Sequence, residues 1–174
     1  MCLVLLSFRM HPRYPLILAA NRDEDYDRAS APAFFWHDVP NLLGGRDLKD
    51  GGTWFGLSNH LLDTPWPKVE RGKKALQALL ARKQRPLPED SFDILTDRTM
   101  PDDKSLPDTG VGLQWERILS PIFISSPTYG TRSSIVLMVD GKGHVTFIER
   151  TFNSHPNPYM TAKFEFKINS SPYG

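Results

Sequence analysis

Cys2 is the one cysteine in 174 residues, and it follows the initiator methionine directly in MCLVLLSFRMHPRYPLILAANRDE. An initiator methionine ahead of so small a side chain is usually removed. Removal would leave an α-amine with a pKa of about 7.7–8.0 beside a thiol of about 8.5. The amine can then act as general base for its own side chain. The plainer reading is a small apolar residue opening a strand, since free cysteine is often buried. Asn21, Arg22, Asp23 and Glu24 form a second polar group, directly after a five-residue apolar run. A guanidinium near the sulfur would lower the thiol pKa, and a carboxylate would hold the α-amine by a charge-assisted hydrogen bond. The alternative for these four is a polar turn leaving a sheet.

Two strands must bring these groups together. Residues 3–8 and 16–20 are apolar runs of strand length, a pattern suited to strands covered on both faces. Residues 11–15, HPRYP, make the turn of an antiparallel hairpin. The end of its second strand then lies beside the start of its first, which brings residues 21–24 to Cys2. Residues 51–56 read as a short strand entered through glycines, and 135–139 with 145–149 flank Gly141-Lys142-Gly143 as a second hairpin. A helix is predicted over 68–84, with Val69, Gly72, Leu76, Leu79, Leu80 and Lys83 on one side. Thr64, Pro65 and Pro67 start it, and Pro86 and Pro88 stop it. A second helix is predicted over 91–97, a surface loop over 98–110, and a weakly ordered polar tail after Phe152. Strands at both ends with helices between predict an α+β domain over residues 1–152, two packed sheets covered by helices in an αββα sandwich, with 153–174 as a tail.

Composition narrows the chemistry. Lys and Arg number 21 against 20 Asp and Glu, a formal charge of +1, which argues against nucleic acid as a partner. A single cysteine forms no intrachain disulfide and points to a reducing compartment. The run after Cys2 is too short to span a membrane and lacks the flanks of a secretory signal. A soluble cytoplasmic protein is expected; a mitochondrial address stays open, although no Arg/Ser-rich amphipathic pattern marks one. His11, His37, His60, His144 and His155 show no zinc spacing, so no metal site is expected. Gly44-Gly45 and Gly51-Gly52 match no phosphate or dinucleotide loop and are read as turns. Trp54, Trp66 and Trp115 are read as core or rim packing. No resident cofactor is expected. Cys2 and a histidine are suited to haem iron as a ligand, but no spacing picks out the partner.

MCLVLLSF, LILAANRDE, GGRDLKDGGTWFG, YGTRSSIVLMVD and VTFIERTF together resemble the NRDE family, also called the transport and Golgi organisation protein 2 family. LSNHLLDTPWPKVERGK is similar to that family's later GLSN-x-x-LDTPWPK stretch. The resemblance covers most of residues 1–36, 44–80 and 129–152. It implies a fold similar to N-terminal nucleophile hydrolases, with Cys2 at the nucleophile position, and roles in intracellular haem handling or in lipid and membrane metabolism. More distantly, the layout is similar to cysteine hydrolases of the bile-salt hydrolase and penicillin acylase type. Carried over, Arg22 and Asp23 attend the terminal cysteine, and Asn59 helps bind the oxyanion, a task suited to a side-chain amide. Asn59 reads alternatively as a turn or cap residue. Asn21 and Arg132 are the candidate substrate-binding groups, Arg132 reading alternatively as a solvated arginine at a strand start. Gly56-Leu57 serves two motifs that the family separates by a long stretch.

Three functions are therefore carried forward. One is an amidohydrolase or acyltransferase working through a Cys2 thioester on a small amide or acyl substrate. Another is a carrier or chaperone for haem or another apolar ligand. The third is an inactive, shortened relative. A homo-oligomer is compatible with each.

Overall fold

The structure is a computed structural model, and it describes residues 3–37, 43–51, 66–155 and 157–168. Its centre is a five-stranded antiparallel sheet with strand order β1-β2-β5-β6-β7. The strands are β1 (Leu3–Phe8), β2 (Leu16–Asp25), β5 (Tyr129–Val139), β6 (His144–Thr151) and β7 (Met160–Lys167). A separate two-stranded sheet holds β3 (Ser30–Phe35) and β4 (Leu43–Asp47). The helices are α1 (Pro67–Leu80), α2 (Pro88–Leu95) and α3 (Leu113–Leu119).

Side chains alternate across a strand, so the pairing register assigns each residue to a face. One face carries Leu3, Leu5, Ile17, Ala19, Val136, Met138 and Ile148, which form one core with Leu76 and Leu79 of α1 and Phe92 and Leu95 of α2. The opposite face carries Ile135, Leu137, Phe147 and Phe164, which pack with Ala33 of β3 and Leu43 at the start of β4. The α+β class with packed antiparallel sheets agrees with the expectation from sequence. Among the described residues, the large sheet has helices on one face and the small sheet on the other.

Both hairpins form, and α1 and α2 stand near their predicted ranges, but α1 ends at Leu80, short of the predicted 84 and of Pro86, while Pro88 opens α2. Asp90, three residues into α2, accepts the Leu87 amide at 2.7 Å and caps its start. The loop over 98–110 holds only a short 3₁₀ turn at Asp103–Ser105.

Three features depart from the reading above. β2 does not end at Ala20 but runs on through Asn21, Arg22, Asp23 and Glu24 to Asp25. β1 is covered on one face only: Leu3, Leu5 and Ser7 are buried, while Val4, Leu6 and Phe8 are exposed, and among the described residues β1 is the last strand on its side of the sheet. The polar tail after Phe152 includes a paired strand, β7, bound along the whole of β6. The predicted strand over 51–56 falls largely outside the described residues.

Candidate active site

Asn21, Arg22 and Asp23 are only 2%, 5% and 5% exposed, so β2 carries a polar cluster through the interior. Neighbouring residues of a strand point to opposite faces, and these three divide accordingly. Asn21 turns to the helices. Its Nδ2 donates to the Leu95 and Ile122 carbonyls, both at 2.9 Å, and its Oδ1 accepts the Ser134 hydroxyl at 2.6 Å. The amide thus joins the end of α2, the 120s loop and β5 to one point of β2.

Arg22 turns to the inter-sheet face. It pairs across β2–β5 with Ser133, which pairs across β5–β6 with Thr151. One step back along the strands, Ala20, Ile135 and Glu149 form the neighbouring row. Glu149 is wholly buried. Its Oε2 accepts a short hydrogen bond from the Ala33 amide. That amide is available because the β3–β4 register slips between Ala31 and Phe34, next to Pro32. Burial pushes the Glu149 carboxyl up, and the Ala33 hydrogen bond, the Ser133 hydroxyl and the Arg22 charge act against it. Arg22 also lies 3.9 Å from the Glu24 carboxylate.

Asp23 follows a bulge between Arg22 and Asp23 and comes opposite Thr131. Its Oδ1 accepts the Thr131 hydroxyl at 2.8 Å, and the same hydroxyl oxygen accepts the Ile124 amide at 3.0 Å. Burial raises the Asp23 carboxyl, opposed by the charge of Lys68 and the Thr131 hydrogen bond. Lys68, in the first turn of α1, is 3% exposed and donates from Nζ to the Leu119 carbonyl at 3.0 Å. Among the described residues, no three His, Cys, Asp or Glu side chains converge as metal ligands.

The Transport and Golgi organisation 2 family profile matches residues 1–58 and 55–154. The chain belongs to that family. It is 26% identical to a Transport and Golgi organization protein 2 homolog of Bos taurus, covering 98% of this chain and 100% of the relative. It is 25% identical to the Homo sapiens homolog with the same coverage. To Transport and Golgi organization protein 2 of Drosophila melanogaster it is 37% identical over 65 residues, 34% of this chain and 23% of the relative. The Bos taurus alignment runs over 277 positions where this chain has 174 residues, so that relative carries stretches without a counterpart here. The two matched segments of the family profile meet at residues 55–58.

Within this family chain, the predicted site residues separate by position. Asn21, Arg22 and Asp23 come together at one end of β2, opposite the first residue of β1, since Leu3 pairs with Asn21. Cys2 and Asn59 lie outside the described residues. Arg132 is committed to the turn between β2 and β3: its Nη1 donates to the Asp25 carbonyl at 2.9 Å and the Tyr26 carbonyl at 2.6 Å, and its guanidinium stands 5.6 Å from the Tyr26 ring centre.

Lys68, Thr131, Ser133 and Glu149 belong to the cluster and were not singled out from sequence. Two of them had a signal. Glu149 follows Val145 and Phe147 at strand spacing, a charge in phase with core positions. Lys68 precedes Gly72 and Leu76 at spacings of four, in phase with the buried side of α1.

Proposed function

We propose that this protein is an N-terminal-nucleophile thiol enzyme in which Cys2 forms a thioester with an amide or acyl substrate. The reading rests on one observation, the pairing of Leu3 with Asn21 at the start of the sheet. Arg22 follows Asn21 on the inter-sheet face with Ser133 and Thr151, beside the first described residue of the chain. The arginine charge would favour thiolate over thiol. Asp23 faces the other way, so its support would go to the α-amine through the strand end rather than to the sulfur.

The chemistry follows from those groups. The free α-amine of Cys2 takes the thiol proton, and the thiolate adds to the substrate carbonyl carbon. The resulting oxyanion needs a donor, for which Asn59 is the candidate. The carbon–nitrogen bond then breaks, the ammonium returns its proton to the leaving amine, and the acyl group stays on sulfur. Water, with the amine again as base, releases the acid and restores the thiol; an acceptor amine in place of water gives acyl transfer.

Carriage of an apolar ligand such as haem has one supporting observation. Val4, Leu6 and Phe8 form an exposed apolar row on the same face, with Met10 beyond them. The two readings separate in one pair of assays. A panel of acyl amides and thioesters should be turned over by the wild type and not by Cys2→Ala. Haem titration followed by absorption should show saturable binding only if the carrier reading holds. Failure of both assays on folded protein leaves the inactive, shortened relative.

A further inference from the structure

The end of the large sheet away from the NRDE stretch carries a second concave feature. A cavity of about 280 Å³ opens there, lined by Arg13, Tyr14, Arg85, Asp140, Gly141 and Lys142. Three connections supply these residues: the β1–β2 turn, the link from α1 to α2, and the β5–β6 turn. β2 runs from this end at Leu16 to Arg22, roughly 20 Å of strand at about 3.3 Å per residue. The cavity is therefore no part of the candidate active site.

Its walls are fixed from the core outward. Tyr14 is buried, and its ring belongs to the core that α1 and α2 cover. Arg85 Nε donates to the Tyr14 hydroxyl, and the guanidinium stands 5.2 Å from the ring centre. The Gly141 amide donates to the Arg13 carbonyl at 3.1 Å and ties the two turns together. Asp140 Oδ1 accepts the Lys142 and His144 amides, both at 2.8 Å, and its Oδ2 meets His144 Nδ1 at 3.0 Å. Among the described residues, the one carboxylate lining the cavity is thus held within its own turn.

The cations are not held in this way. Among the described residues, the side chains of Arg13 and Lys142 have no hydrogen bond or ion pair, and that of Arg85 donates only to the Tyr14 hydroxyl. Like charges gathered at one cavity repel one another, and an anion between them reverses that cost. The Tyr14 hydroxyl accepts from Arg85 and keeps its own proton to donate. Donors arriving from three separate connections suit a tetrahedral anion, whereas a carboxylate presents its two oxygens in one plane. The volume lies just below the roughly 300–1,000 Å³ of drug-sized ligand pockets, which suits a small anionic group. We propose that this cavity binds a phosphate monoester, as a soluble compound or as a lipid headgroup. Arg13, Arg85 and Lys142 are its charged donors and the Tyr14 hydroxyl its neutral one.

Arg13 and Lys142 are exposed on turns, so Arg13→Gln and Lys142→Gln remove a charge without removing a contact of the fold. The test titrates inorganic phosphate into the wild type, both variants and Lys74→Gln by calorimetry. Lys74 is an exposed lysine of α1 outside the cavity. The expected result is saturable binding in the wild type, weakened roughly tenfold in each cavity variant and unchanged in Lys74→Gln. Flotation with phosphatidylcholine vesicles, with and without phosphatidic acid, then identifies the source. Capture that needs phosphatidic acid and is lost in Lys142→Gln assigns the headgroup; phosphate binding without capture assigns a soluble ester. Absence of both phosphate binding and capture overturns the proposal. So does binding or capture that the cavity variants leave intact, or that Lys74→Gln weakens equally. None of these outcomes bears on the reading of Cys2.

Discussion

At the residue scale, the NRDE stretch holds side chains with different tasks, and mutation should separate them. Asn21 satisfies two carbonyls and one hydroxyl in the interior, so Asn21→Ala should destabilise the protein by about 3 kcal/mol. Urea unfolding measures that loss, and alkylation of the remaining folded protein should be unchanged, because Asn21 faces the helices. A slowed thiol with undiminished stability would return Asn21 to substrate binding. Asp140 supplies a pH effect of known sign. The His144 side chain and the His144 and Lys142 amides hydrogen-bond to its carboxyl and hold it down to about 2 from 3.8. A depressed acid contributes stability that is complete above its unfolded value and is lost as pH falls toward its folded one. Asp140→Asn should therefore flatten the fall in melting temperature between about pH 4.5 and pH 2.5; an unchanged slope would refute it. Arg22 and Asp23 were legible as a pair because two charges follow an apolar strand. Their assignment to opposite faces was not, because it depends on β2 continuing past Ala20.

At the element scale, β5 depends on a close approach at Gly130. A Cβ there would stand 2.8 Å from the Ile124 carbonyl oxygen and would collide with the Tyr26 hydroxyl. Tyr26 is the same ring that Arg132 covers, so Gly130 lets the β2–β3 turn close over β5. Gly130→Ala should cost about 1–3 kcal/mol in urea unfolding; a neutral substitution would mean that the turn yields freely.

Elements built on local pattern were readable: the two hairpins, and α1 and α2 with their flanking prolines. Those depending on distant partners were not. β3 contains Pro32 and β4 contains two glycines, residues that argue against strands in isolation. What holds this small sheet is packing: Phe35 meets Phe164 at 5.8 Å and Phe166 at 6.3 Å between ring centres. β7 alternates Phe164 and Phe166 with Lys163, Glu165 and Lys167, but its polar surroundings hid the alternation, and β6 and Phe35 supply its order. α3 is seven residues long and begins after Gly112, too short for a periodic signal.

At the scale of the whole molecule, the two edges that the large sheet has among the described residues differ. β7 carries charges along its length, which discourages edge pairing. β1 carries none from Leu3 to Phe8 and exposes Val4, Leu6 and Phe8. Light scattering should therefore find association with a second copy that grows with concentration, and Leu6→Lys should weaken it. A concentration-independent monomer would show that the edge is protected. No described helix is long and apolar enough to cross a membrane. The central claim is that Cys2 is a free-amine nucleophile, and intact mass of natively expressed protein, before and after exposure to an acyl thioester, tests it most directly. The account predicts a mass lacking Met1 that gains one acyl group, with no gain in Cys2→Ala. Retention of Met1, or an equal gain in Cys2→Ala, would contradict it.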